Sequence, residues 1–335
     1  MTRHTYFCID AHTCGNPVRV VTGGAPLLPH VPMAEKREIF VRDHDHVRSA
    51  LMFEPRGHDV MSGVIPYPST RADCDIGFLY IEVSGCLPMC GHGTIGAVTA
   101  VVEEGLVVPR VPGHLAIEAP AGRIEIQYAT DVTTGLVDSV RLFNMASYLH
   151  AEDFTLDIPG IGPLKMDLAY GGNYYVIIEP QARWSGLDSM SPRQITELSP
   201  LIRQAAQQAI APVHPEDHRI RGVSHVMWCD QPRSPNADAR NAVFYGDNAI
   251  DRSPCGTGSS ARMAQLAAKG RLEVGGLFRH ESIIGTIFDC RIESQTRVGN
   301  YAAFLPSISG WARVIGHNTI FVDSRDPLAL GFQLK

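Results

Sequence analysis

The chain has 335 residues, a length for about two domains, and its 44% apolar and 19% charged side chains supply enough material for two buried cores. A net charge of −6 argues against a nucleic-acid binder, which carries a basic face, while leaving room for a locally positive pocket that takes a small anion. No apolar run approaches the ~20 residues of a membrane helix, so no membrane partner is expected.

The stretch 1–17 is too polar for a signal peptide and begins as a strand. With eight cysteines and no export signal, reduced thiols and a cytoplasmic protein are expected. Alternation and β-branched residues mark strands at 17-PVRVVTGG-24 and 76-IGFLYIEVSG-85. Then comes 88-PMCGHGTIGA-97, a cysteine followed by Gly-x-Gly. Small and apolar residues continue to Glu103, Glu104 and Gly105. This predicts a helix of three to four turns, buried on most sides, with Gly105 in the left-handed position past its end. Turn residues cluster at 129-ATDVTTG-135. They predict a first half over 1–132, joined by a C-terminal strand in 316–335, and a second half over 133–315.

In the second half, 174-YYVIIEP-180 reads as a strand. The segment 192–211 reads as an amphipathic helix with Ile195, Leu198, Leu201, Ile202 and Ala205 on one stripe. A strand over 242-AVFYGDNAI-250 precedes 253-SPCGTGSSAR-262, which repeats the cysteine and Gly-x-Gly pattern and leads into a helix ended by Lys269 and Gly270. Further strands are predicted at 282-SIIGTIFDCRIES-294 and 318-NTIFVD-323. From cysteine to terminating glycine the step is fifteen residues in both motifs, and the cysteines stand 165 residues apart. The match implies a duplication of strand, cysteine-bearing turn and buried helix.

A cysteine at a helix N-terminus is a competent acid or base, because the free N–H groups and the dipole favour its thiolate. Two such cysteines flanking one cleft suit a reaction that needs a base on one face of a carbon and an acid on the other, such as racemisation at Cα of an amino acid. The glycines allow close backbone approach, and the helix starts bind a carboxylate on which charge develops. No metal or cofactor is required by that chemistry. Other readings stay open. Cys86, Cys90 and His92 form a partial zinc set, Gly-x-Gly can cradle phosphate, one activated cysteine suits a hydrolase, and both cysteines can be small core residues.

At 12-HTCGNPVRVV-21, 52-MFEPRGHDVMSG-63, 89-MCGHGTIG-96, 240-RNAVFYGD-247, 251-DRSPCGTGSSARMA-264, 280-HESIIGT-286 and 306-PSISGWARV-314 the chain resembles the proline racemase family, and within it the 4-hydroxyproline 2-epimerases. The resemblance implies an α/β (α+β) fold like that of diaminopimelate epimerase. Such a fold has two pseudo-symmetric halves, each a curved, mostly antiparallel sheet around a central helix. It implies cofactor-independent epimerisation of trans-4-hydroxy-L-proline to cis-4-hydroxy-D-proline, with Cys90 taking the proton and Cys255 giving one. Proline racemisation and non-catalytic imino-acid binding are the alternatives. The resemblance assigns Gly91, His92, Gly256 and Thr257 to the substrate carboxylate, and His225 and Asp251 to the ring nitrogen. Read alone, Asp251 suits a secondary ammonium or a turn cap, and His225 reads as a structural histidine.

Family members that dehydrate trans-3-hydroxyproline carry threonine in place of Cys255, so the cysteine here favours epimerisation. Ser259 stands where threonine is frequent, and little effect is expected from the change. Cys14 receives no catalytic role. The expected partner is a small-molecule substrate, and a homodimer is left open.

Overall fold

In the computed structural model, which describes residues 3–334, one unit runs to Leu142 and resumes at Gly310, and the other is Phe143–Ser309. The first unit contains β1 (Arg3–Thr13), β2 (Asn16–Gly23), α1 (Met33–Asp43), α2 (Asp45–Met52), β3 (Ser62–Tyr67), β4 (Ile76–Glu82), β5 (Gly85–Leu87), α3 (Gly91–Glu103), β6 (His114–Ala119) and β7 (Gly122–Thr130). The chain leaves it within β8 (Val137–Phe143). The second unit holds β9 (Ser147–Ile158), β10 (Gly162–Tyr170), β11 (Tyr174–Ile178), α4 (Pro192–Ile210), β12 (Val223–Asp230), β13 (Ala239–Tyr245), β14 (Ala249–Ile250), α5 (Gly256–Ala268), β15 (Leu277–Glu281), β16 (Ile287–Val298) and β17 (Tyr301–Gly310). The last strand, β18 (Ala312–Asp323), belongs to the first unit.

Both units repeat one pairing pattern. In the first, β18–β1–β2 are antiparallel, β2–β3 parallel, β3–β4 antiparallel, β4–β6 parallel and β6–β7 antiparallel. In the second, β9–β10–β11, β11–β12, β12–β13, β13–β15 and β15–β16 follow the same sequence of directions. There β16–β17 and β17–β9 pair as well, closing the sheet on itself. Each sheet curves around one helix. Helix α3 packs on β1, β2, β3 and β18, and α5 on β9, β10, β11 and β16. All residues Gly91–Val101 and Gly256–Leu266 are buried. Glycine, alanine, serine and threonine fill these helices because strands approach from every side and leave little room for side chains. Gly105 and Gly270 take φ of 64° and 66° just past the helix ends, as their sequence position predicts.

The run 174-YYVII-178 is apolar at every position because the strand is covered on both faces. Tyr174, Val176 and Ile178 pack with Ile195, Ile202 and Ala206 of α4, whereas Tyr175 and Ile177 pack with Cys255 and with Ala261 of α5. Helix α4 opens with Pro192 and a capping box between Ser191 and Gln194. Its buried stripe is Ile195, Ser199, Ile202 and Ala206. Leu201, expected on that stripe, is 38% exposed. Trp228 moves the stripe toward Ser199 by donating its indole N–H to the hydroxyl at 2.9 Å.

One further expectation is corrected. The predicted strand over 282–294 begins only at Ile287, because Ser282 N–H closes a turn onto the Thr286 carbonyl. Helices α1 and α2 had no counterpart in the sequence reading. The turn at 131–136 joins β7 to β8 within the first unit. Among the described residues no helix is long and apolar enough to cross a membrane.

Candidate active site

In the first unit, Cys90 has extended backbone and is the N-cap of α3. Its sulfur accepts a hydrogen bond from Gly93 N–H at 3.4 Å. The His92 Nδ1 lies 3.5 Å from that sulfur. The other ring nitrogen meets the Asn16 side chain at 2.9 Å, and Thr13 donates to the His92 carbonyl at 2.7 Å, so strands β1 and β2 fix the imidazole. Thr94 donates to the Cys90 carbonyl and meets the Tyr80 hydroxyl, each at 2.7 Å. This ties the first turn to β4.

Glu82, Cys90 and His92 each place one donor atom within 4.8 Å of the other two. Three donors are one fewer than a closed zinc site takes. Cys86, grouped with Cys90 and His92 on sequence, is not among them. It sits on β5, where burial pushes its thiol up to about 12.

In the second unit, Cys255 is the residue before α5, with φ 64° and ψ 106°. A non-glycine residue there stores roughly 1–3 kcal/mol of strain, so its surroundings must hold it. They do so through Pro254. Its carbonyl accepts from Asn241 at 2.8 Å and from Ser259 at 3.1 Å, and the Ser259 hydroxyl also lies 2.9 Å from His280. Ser259 is therefore part of the clamp on the cysteine turn, through a hydroxyl that threonine would also supply.

The Cys255 sulfur lies 3.4 Å from the Tyr175 hydroxyl, which in turn lies 2.6 Å from Thr257 Oγ1. The Tyr175 ring stacks on His225, with centroids 4.5 Å apart. Asp251 accepts from Ser253 N–H and hydroxyl at 2.8 Å each, so it does cap its turn, and its carboxylate also faces the Cys255 thiol. Burial pushes that thiol well above its ordinary 9.0, and Asp251 adds to the rise, while the Tyr175 hydroxyl and Gly258 amide oppose it. Burial and Asp251 thus favour the thiol form of Cys255 over its thiolate.

The second glycine of each motif has a steric reason. A Cβ on Gly93 would lie 2.9 Å from the Cys90 sulfur, and one on Gly258 would lie 2.9 Å from the Cys255 sulfur. Neither glycine has left-handed backbone. Each is bare because a thiol lies against its Cα.

The structure thus groups Cys90, Gly91 and His92 at one helix start. It groups Cys255, Gly256, Thr257 and Asp251 at the other, with His225 joined through Tyr175. Sequence reasoning missed Asn16, Glu82 and Tyr175. Asn16 lay inside a family-like segment without a role, and the other two looked like ordinary strand residues. Cys14 forms the β1–β2 turn with Gly15 and bonds the Trp311 carbonyl through its N–H at 3.2 Å and its thiol at 3.5 Å. All eight cysteines are buried, and none forms a disulfide among the described residues.

The proline racemase family profile matches residues 8–333. The chain is 65% identical over 333 residues to 4-hydroxyproline 2-epimerase 2 of Rhizobium rhizogenes strain K84, covering 99% of this chain and all of that one. Among solved structures it is similar to a hydroxyproline epimerase from Agrobacterium vitis with bound trans-4-hydroxy-L-proline, with a TM-score of 0.88, 28% identity, and coverage of 99% of this chain and 96% of that one. A probable proline racemase from Agrobacterium radiobacter K84 with bound carbonate gives a TM-score of 0.89 at 29% identity, over 98% and 96% of the two chains. With the family profile spanning both cysteine-capped helices, the chain belongs to the proline racemase family.

Proposed function

We propose that this protein epimerises trans-4-hydroxy-L-proline at Cα to cis-4-hydroxy-D-proline, with Cys90 and Cys255 as its two acid/base groups. The observation that carries the chemistry is the pair of thiols, one at the start of each buried helix. The 65% identical relative supports the choice of substrate. Racemisation of proline is the second reading, supported by the family match.

The reading assigns one thiol to each face of Cα. In the L-to-D direction the Cys90 thiolate takes the Cα proton. The electron pair left on carbon delocalises into the carboxylate, where backbone N–H groups of Gly91, His92, Gly256 and Thr257 stabilise it. Cys255, whose proton is held by burial and Asp251, protonates the opposite face. Asp251 and His225 hold the ring ammonium, a charge-assisted contact. We place the reaction in the cytoplasm, because eight buried thiols suit a reducing compartment.

Proton NMR of the enzyme with trans-4-hydroxy-L-proline in D2O, with L-proline in parallel, tests both parts. Loss of the Cα proton with growth of the cis-D epimer on hydroxyproline alone is the expected result. Exchange on proline alone would promote the second reading, and exchange on neither would sink both.

A further inference from the structure

The residue two after each cysteine differs between the units, and so does what reaches the sulfur. After Cys90 it is His92, whose own ring comes to 3.5 Å. After Cys255 it is Thr257, and the Tyr175 phenol is what contacts the sulfur. Tyr175 has no exposed surface and lies among Ala169, Ile177, Met227, Val243 and Ala261. A hydroxyl in such surroundings must find its partners within reach, since leaving it unsatisfied costs on the order of 1–3 kcal/mol. Two polar atoms are at hand, Thr257 Oγ1 at 2.6 Å and Cys255 Sγ at 3.4 Å. The stack on His225, its neighbour across the parallel β11–β12 pair, holds the ring whose hydroxyl meets both.

We propose that Thr257 and Tyr175 form a hydroxyl relay that stabilises the Cys255 thiolate, with Thr257 donating to Tyr175 and Tyr175 donating to sulfur. The relay rests on the two-thiol reading above, and it makes Tyr175 a positioning residue for that reaction. When Cys255 gives its proton to substrate carbon, the S–H bond breaks, the new C–H bond forms, and the electron pair stays on sulfur. The sulfur then becomes the strongest acceptor near the phenol. The Tyr175 proton turns toward it without transferring, because burial raises the phenol pKa well above its ordinary 10.0. This offsets the repulsion from Asp251, which otherwise disfavours the thiolate. Strand β11 supplies the donor from the unit's own barrel wall, so the phenol does not depend on substrate to be in place.

The test is Tyr175→Phe, read by iodoacetamide alkylation of each cysteine against pH, with peptide mass spectrometry separating Cys255 from Cys90. Loss of one hydrogen bond to a thiolate moves the Cys255 midpoint up by about one pH unit, and the Cys90 midpoint stays. The ratio kcat/KM falls about tenfold. It falls equally in both directions, because the equilibrium between the epimers is fixed. A folded Tyr175→Phe protein with an unmoved Cys255 midpoint overturns the relay. If that variant does not fold, Thr257→Val decides. A smaller upward shift, restored by Thr257→Ser, supports the relay, and no shift or a downward one overturns it. Since alkylation needs no substrate, wild-type enzyme silent in the NMR assay would remove the substrate reading and leave the relay standing.

Discussion

Replacing Gly93 by alanine separates the position of a thiol from the stability of the fold. The new methyl would lie 2.9 Å from the Cys90 sulfur. Comfortable contacts between carbon atoms lie at about 3.5–4.0 Å, and sulfur is larger, so the thiol must retreat by roughly 0.6–1.1 Å. It can do so by turning about its own side-chain bond, an off-rotamer cost of roughly 0.5–1.5 kcal/mol. Against this, alanine is better than glycine in a helix by up to about 1 kcal/mol. The net change in stability is therefore within about 1 kcal/mol of zero. Catalysis has no such compensation, because a displacement of about 1 Å at a reacting group costs on the order of 10²-fold in rate. Gly258→Ala is the matched experiment on Cys255, with the Met227 methyl as a second neighbour at 2.8 Å. The assay is Cα-proton exchange at saturating substrate, with thermal unfolding of the same samples. Near wild-type turnover in both variants, with unchanged melting, would refute the claim that these glycines exist to let the thiols lie against the helix start.

Cys90→Ser and Cys255→Ser should each lower turnover by at least 10²-fold, the usual contribution of a positioned acid or base, while pyrrole-2-carboxylate, a planar mimic of the carbanion, still binds. Calorimetric titration with that ligand separates the two effects, and full turnover in either variant would refute the two-base reading. The Cys255 thiol is raised above 9.0, so activity should persist through pH 9 and decline only above it. A profile already falling below pH 8 would place the proton elsewhere. Burial, helped by the nearby Arg262 charge, holds the His280 imidazole well below its ordinary 6.5. The folded protein therefore keeps it neutral while the unfolded chain takes up a proton. The associated stability is present above pH 6.5 and is lost as pH falls below it. Melting temperatures from pH 8 to 5 should drop less steeply in His280→Gln than in wild type, and equal slopes would contradict the assignment.

Much of this was legible in the sequence because it is local. A cysteine followed by Gly-x-Gly, a run of small residues and a glycine fifteen positions on specify a helix with a thiol at its start, through contacts within one turn. The apolar periodicity that marks α4 is equally local. The two motifs' equal spacing announced the repeat that the strand pairings display. What stayed hidden depends on pairs far apart in the chain. Tyr175 meets Cys255 across 80 positions, and Asn16 meets His92 across 76. In sequence Tyr175 is one apolar letter among five, because a strand covered on both faces shows no polar alternation to betray which side faces the thiol.

The shift of the α4 stripe toward Ser199 has the same origin, since only the placement of Trp228 rewards a hydroxyl there. Helices α1 and α2 lacked strong cysteine-type punctuation, and their contacts with β4 decide their packing. Sequence alone thus determined where the two thiols stand and which backbone groups surround them, because helix starts are built from neighbours along the chain. The tertiary structure decided how each sulfur is tuned, His92 and Asn16 for one, Tyr175 and Asp251 for the other, because burial and hydrogen-bond partners are set by the strands that fold over each helix.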